Sequence, residues 1–152
     1  MGTNIEVTAE DGNIFRAYLA EPEGSPKGAL VVVQEIFGVN PHIRSVVDRY
    51  AEKGYVVIAP ALFDRVQKNV ELKYDEIGIE EGRRIAFEGV TMDQVITDIK
   101  GACEAVSYAG KIGIVGYCWG GTISYVAAAR LSDKISAASG YYGGQIMPHI
   151  ES

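Results

Sequence analysis

The amino-acid sequence predicts an α/β protein whose sheet is mostly parallel, with a pair of antiparallel strands at its start. Three observations carry this. A hairpin signal comes first, and apolar runs without alternation follow it. From there strand patterns alternate with helix patterns along the rest of the chain.

Asn4–Glu10 and Ile14–Ala20 alternate as half-buried strands around Asp11-Gly12-Asn13, a two-strand turn signal. Glu21–Gly28 holds Pro22, Gly24, Pro26 and Gly28 and reads as a loop. Ala29–Gln34 is continuously apolar up to its last residue, the pattern of a strand covered on both faces. Asn40-Pro41 supplies a helix N-cap and a first-turn proline. Ile43, Val46, Val47, Tyr50 and Ala51 then recur at helical spacing until Gly54 ends the helix. Tyr55–Ala59 is a second buried strand, stopped by Pro60. Phe63–Gly89 is polar, and its pattern supports at most a short helix around Glu80–Glu88. Thr91 and Gln94 form a capping box for a helix to about Tyr108, with Val95, Ile96, Ile99, Cys103 and Val106 on its apolar stripe. Lys111–Tyr117 is a strand, Gly120–Leu131 an Ala-rich helix and Ile135–Tyr142 the last strand.

Composition excludes several classes. With 47% hydrophobic and 22% charged residues in 152, the chain can bury a core, which excludes disorder. Its formal charge of −6 speaks against nucleic acid as a partner, because phosphate neutralisation needs a basic surface. No apolar run reaches the roughly 18–20 residues that cross a bilayer. The first residues lack a basic-then-apolar leader pattern, so the expectation is a cytoplasmic protein without membrane association. Two cysteines make no disulfide framework, and no Cys/His spacing points to a metal.

The strongest chemical signal is Gly116-Tyr117-Cys118-Trp119-Gly120-Gly121, at the junction of a strand and a helix. It has the form of a nucleophile elbow with Cys118 at the apex. Side chains two residues before and after a strained apex would clash, which accounts for Gly116 and Gly120. At a helix N-terminus the dipole and free N–H groups favour the thiolate, and the N–H of Trp119 faces the place where an oxyanion would form. The plain alternative is a buried, inert cysteine. Glycine-rich turns also bind phosphate, but neither G-x-G-x-x-G nor G-K-[ST] spacing is present. A second signal is Gln34-Glu35-Ile36-Phe37-Gly38-Val39-Asn40, directly after the buried strand Ala29–Gln34. The loop at this place supplies the second oxyanion donor in a sheet with such an elbow, here the N–H of Ile36. Glu35 lies at the ligand-binding edge beside Cys118, whereas alone it would be a solvated loop acid.

Gln34–Asn40 and Gly116–Gly121 together resemble the dienelactone hydrolase family (carboxymethylenebutenolidase). Pro60-Ala61-Leu62-Phe63 and Gly140-Tyr141-Tyr142-Gly143 agree with it too, so the resemblance covers nearly the whole chain. It implies an α/β-hydrolase fold in one domain over residues 1–152. It also implies cofactor-free opening of a small unsaturated lactone or ester by a Cys-His-Asp triad. In those terms Cys118 is the nucleophile, Glu35 its partner in the resting state, and Ile36 and Trp119 the oxyanion donors. Arg83 is the match for an arginine that binds the substrate carboxylate, with Arg84 the alternative; the plain reading of both is a solvated pair answering Glu80 and Glu81.

The triad Asp and His have no matching positions, because in family order they follow two further strands beyond Tyr142. The expectation is therefore a domain incomplete at its C-terminus: a piece of a longer hydrolase, a truncated non-catalytic protein, or chains that assemble. At this length Ile135–Tyr142 is expected to be a bare sheet edge, which invites a homo-oligomer. His42 reads as a surface residue, His149 follows the last strand with no matched carboxylate, and Asp133 falls on the wrong side of its strand. Cys103, on a buried stripe, is a weak candidate for a resolving thiol in a redox pair with Cys118.

Overall fold

A computed structural model describes residues 2–143. Thr3–Thr8 (β1) and Ile14–Ala20 (β2) form the expected hairpin, with Thr8 opposite Ile14. Then follow Ala29–Val33 (β3), Pro41–Glu52 (α1), Val56–Pro60 (β4), Glu76–Arg84 (α2), Met92–Ala105 (α3), Ile112–Tyr117 (β5), Trp119–Arg130 (α4) and Ile135–Tyr141 (β6). One six-stranded sheet has the order β1-β2-β4-β3-β5-β6. β2 runs antiparallel to β1 and to β4, while β4, β3, β5 and β6 are parallel neighbours. The mixed sheet with helices on both faces is an α/β fold with antiparallel strands at one side, as the pattern predicts.

The continuous apolar runs have a structural reason. Val31, Val32 and Val33 of β3 and every residue of β4 are buried, because helices cover both faces. On one face Val31, Val33, Ile58 and Ile114 meet Ile99 and Cys103 of α3 and Ile123 of α4. On the other, Val32, Val57, Ala59 and Val115 meet Ile43, Val46, Val47 and Ala51 of α1. Each fully buried Ile or Val contributes roughly 1.5–3 kcal/mol over an exposed one. Both expected caps are present. Asn40 accepts from the Ile43 N–H at 3.1 Å, and Thr91 and Gln94 cap each other at 3.1 and 3.0 Å. A buried polar knot joins the hairpin to α3: Arg65 donates to Asp98 at 2.8 and 2.9 Å and to Asp11 at 2.8 Å, and Asn13 donates to Asp98 at 3.1 Å.

Several boundaries differ from expectation; β1 ends at Thr8 rather than Glu10, and Pro60 is the last residue of β4 rather than its stop. The short helix expected around Glu80–Glu88 instead begins at Glu76, where Asp75 accepts from the Gly78 N–H at 2.7 Å. It ends in a wide π-type turn over Ile85–Gly89. Its glycines lower helix propensity but permit backbone packing: a Cβ on Gly78 would lie 1.9 Å from the Lys73 carbonyl oxygen, and one on Gly82 2.2 Å from that of Ile36. Likewise α3 stops at Ala105, and Ser107–Ala109 forms a separate 3₁₀ turn rather than continuing the helix to Tyr108.

At the far side of the sheet, β6 is the edge strand among the described residues. Only Ile135 in it is buried, and Ser136–Tyr141 are exposed. Among the described residues, no helix is long and apolar enough to cross a membrane.

Candidate active site

Parallel strands β3 and β5 are direct neighbours, and both end at the same edge of the sheet. The loop after β3 and the turn after β5 therefore share that edge. β5 ends at Tyr117, α4 begins at Trp119, and Cys118 lies between them with φ 58° and ψ −120°. A side chain held at positive φ costs on the order of 1–3 kcal/mol, and the surrounding structure must impose it. Here the Cys118 N–H donates to the Tyr141 carbonyl at 2.9 Å, while its own carbonyl accepts the Gly121 N–H at 2.9 Å. A Cβ on Gly116 would fall 1.9 Å from the Gly120 oxygen, and one on Gly120 would fall 2.4 Å from the Gln34 oxygen. The glycines of the motif are thus contact surfaces between the strand, the helix and the neighbouring loop.

Cys118 is half-buried and opens onto a cavity of about 530 Å³, whose walls include Ile36, Arg83, Phe87, Met92 and Trp119. Four of the residues singled out from sequence, Cys118, Ile36, Trp119 and Arg83, therefore share one cavity. Trp119 is the first residue of α4, so its N–H has no acceptor in a preceding turn. Its ring is buried against Phe63, centroids 5.4 Å apart. Ile36 is buried in the loop after β3.

Arg83 and Arg84 part company. The Arg84 guanidinium is engaged by Glu81, with Nε 3.0 Å from Oε2. The Arg83 guanidinium carbon instead lies 5.7 Å from the centroid of the Phe87 ring, in the cavity wall.

Glu35 is outside that cavity wall. Its carboxylate accepts from the Tyr74 hydroxyl at 3.3 Å and from the Tyr142 hydroxyl at 3.0 Å; among the described residues its side chain makes no hydrogen bond to the Cys118 thiol. Tyr74 is fixed by the Asn40 amide, which donates at 2.9 Å, and by the Phe37 ring at 4.4 Å. Tyr142 has φ 41°, and desolvation, then the hydrogen bond to Glu35 and its charge, push its hydroxyl up to about 12. A negative charge on Cys118 would act in the same direction, which puts Tyr142 within electrostatic reach of both groups. Sequence reasoning missed both tyrosines as partners of Glu35. The available signal was Gly140-Tyr141-Tyr142-Gly143, a glycine-flanked pair at the end of the strand beside the elbow.

His42 is exposed at the start of α1, its ring edge-on to Tyr117 at 6.5 Å, in keeping with a surface place. His149 lies outside the described residues. Asp133 is exposed on the turn before β6. Cys103 is wholly buried, and burial pushes its thiol up to about 11, which disfavours the reactive thiolate. Among the described residues, no group of three His, Cys, Asp or Glu side chains is placed to hold a metal ion.

A mixed sheet with a strained nucleophile elbow after one central strand, and a candidate oxyanion loop after its parallel neighbour, is the frame of an α/β hydrolase. The family model for the dienelactone hydrolase family matches residues 15–152, and the chain belongs to that family. Carboxymethylenebutenolidase 1 of Cupriavidus pinatubonensis is 32% identical over 148 residues, a stretch covering 94% of this chain and 62% of that protein. Carboxymethylenebutenolidase of Pseudomonas putida is 31% identical over 144 residues, covering 91% of this chain and 60% of the relative. A crystal structure from Klebsiella pneumoniae, assigned as a dienelactone hydrolase, superposes with a TM-score of 0.75 at 32% identity, over 93% of this chain and 60% of the other. The chain thus spans about 60% of the length of these relatives.

Proposed function

We propose that the chain carries the nucleophile half of a hydrolase site for small unsaturated lactones or esters, with Cys118 attacking the carbonyl. The observation that carries this is Cys118 itself, held at φ 58° at a helix N-terminus and open to a cavity shared with Ile36, Trp119 and Arg83. In this reading the N–H groups of Ile36 and Trp119 receive the developing oxyanion, and Arg83 meets a substrate carboxylate. Glu35, held by two tyrosine hydroxyls, is in this reading the resting-state partner of the thiol. Among the described residues no histidine lines the cavity. The reading therefore leaves proton transfer, which turnover requires, to groups outside the described lining of this cavity.

The exposed edge of β6 favours a second reading, in which the chain acts through self-association at that edge rather than by turnover. One experiment addresses both. Mixing the protein with p-nitrophenyl acetate should release one burst of nitrophenolate per chain and leave an acetyl group on Cys118, detected by peptide mass spectrometry. Cys118→Ala should abolish the burst, and a burst of equal size in that variant excludes the nucleophile assignment. A burst without steady release, together with a dimeric mass in light scattering, would favour the second reading.

A further inference from the structure

Gln34 is a large polar side chain in the middle of this machinery that the reading above leaves without a task. It is completely buried, and a buried amide costs free energy unless both its ends are hydrogen-bonded. Both are. Oε1 accepts the Leu62 N–H at 3.1 Å, and Nε2 donates to the Glu35 carbonyl at 3.0 Å. The Leu62 N–H needs an acceptor and the Glu35 carbonyl a donor, so only one orientation of the amide satisfies the pair.

The second bond has a geometric consequence. The peptide joining Glu35 to Ile36 is trans and planar, so its C=O and its N–H point in opposite directions. Pinning the Glu35 carbonyl therefore fixes the direction of the Ile36 N–H. The same stretch is braced at two other points. Gly120 of the elbow packs on the Gln34 main-chain oxygen, and Gly82 of α2 packs on the Ile36 oxygen, both too closely for a Cβ. Through Leu62 the amide also ties this peptide to the end of β4.

We infer that Gln34 is a positioning residue that aims the Ile36 N–H at the carbonyl oxygen of a substrate bound by Cys118. The inference rests on the proposed function and adds to it a part that no reacting atom touches. Its signature follows from chemistry. In acylation by p-nitrophenyl acetate the Cys118 sulfur bonds to the acyl carbon, the carbonyl oxygen becomes an oxyanion, and nitrophenolate then leaves with the C–O electron pair. In alkylation by iodoacetamide the sulfur displaces iodide from carbon, and no oxyanion forms. A misaimed N–H slows the first reaction and leaves the second unchanged.

The test compares the two rates at Cys118 in wild type, Gln34→Met and Gln34→Glu. Loss of a complete oxyanion donor costs about 10²–10³ in rate, so a misaimed one in Gln34→Met should lower the acylation-to-alkylation ratio at least about tenfold. Gln34→Glu keeps an acceptor for Leu62 and donates to the Glu35 carbonyl only while protonated. Its ratio should match wild type on the acid side and fall by the same factor as the new carboxyl ionises. The ionisable side chains around it are Glu35 and, in the small polar pocket alongside, Arg16, Tyr18, Arg44, Asp64 and Glu71, all present in wild type as the reference. A Gln34→Glu ratio equal to wild type across the alkaline range, or acylation and alkylation falling in parallel in both variants, would overturn the assignment. A wild type that alkylates at Cys118 but never acylates would overturn the proposed function and this inference with it.

Discussion

Gly113 and Gly116 lie on the same strand three residues apart, yet alanine at the two positions should have opposite fates. At Gly116 the new Cβ would sit 1.9 Å from the Gly120 oxygen, 2.3 Å from its carbonyl carbon and 2.9 Å from the Gly121 nitrogen. All three are backbone atoms of the first turn of α4. Relief requires moving the helix by more than an ångström against a core that is already full. That exceeds ordinary overpacking, which costs about 1–3 kcal/mol, so the expected loss is about 3 kcal/mol or more. At Gly113 the nearest atoms are a Leu30 methyl at 3.0 Å and the Ala137 oxygen at 3.7 Å. The methyl can turn away, and alanine reduces the entropy of the unfolded chain, so Gly113→Ala should stay within about 1 kcal/mol of wild type. Neither glycine has a left-handed φ, which leaves packing as the only difference. Urea unfolding of the two variants reads the gap as a difference in midpoint at constant slope, and thermal melts should separate them by about 6–12 °C. Two variants within about 1 kcal/mol of each other would refute the account of the motif's glycines as contact surfaces.

Other perturbations follow from the same structure. Burial raises the Asp98 carboxyl above its ordinary 3.8, against the hydrogen bonds from Arg65 and Asn13 that lower it. The unfolded chain loses this proton first, so the stability that Asp98 contributes by titration is full below about 3.8 and is lost as pH rises through the raised value. Urea melts should therefore show wild type losing stability relative to Asp98→Asn across that window; a flat or rising difference contradicts the burial argument. Arg83→Ala should lower the second-order rate of Cys118 acylation by an anionic ester about tenfold or more relative to a neutral one, as expected for losing a charged hydrogen bond. Arg84→Ala should leave that ratio alone, and equal effects of the two would remove Arg83 from the substrate site.

Most of the sheet was legible because its signals are local and strong. The valines of Ala29–Val33 and Val56–Pro60 cannot alternate when both faces are covered, and Asn40, Pro41, Thr91 and Gln94 mark helix starts by hydrogen bonds within three residues. The stretch before Thr91 was less legible because it is held by contacts distant in sequence. α2 carries Gly78 and Gly82 where helices usually avoid glycine, and Ile77 and Ile79 are exposed, so no apolar stripe announces it. What fixes it is Gly82 against Ile36, a backbone contact that no periodicity records. The site divides in the same way. Cys118, Ile36 and Trp119 follow from motif geometry, and Arg83 from resemblance. The hydroxyl partners of Glu35 come from residues 39 and 107 positions further along the chain, a pairing that sequence spacing cannot reveal.

The edge strand is more than an edge. The Cys118 N–H bonds to the Tyr141 carbonyl, and a Cβ on Gly121, Gly140 or Gly143 would come within 2.8 Å of the facing backbone, Gly121 against Tyr141, Gly140 against Gly121, and Gly143 against Thr122. Glycines on both sides of the contact allow the first turn of α4 to rest directly on the end of β6. The apex is therefore pinned from three directions: through Gly116 by its own strand, through Gly120 by the loop after β3, and through Tyr141 and the facing glycines by β6. Tyr142, the next residue, reaches back to Glu35 from that same strand end. The end of β6, with the residue after it, thus holds both the Cys118 backbone and the Glu35 carboxylate. The two contacts come from consecutive residues, Tyr141 and Tyr142, so a strand that frayed at its end would release both together.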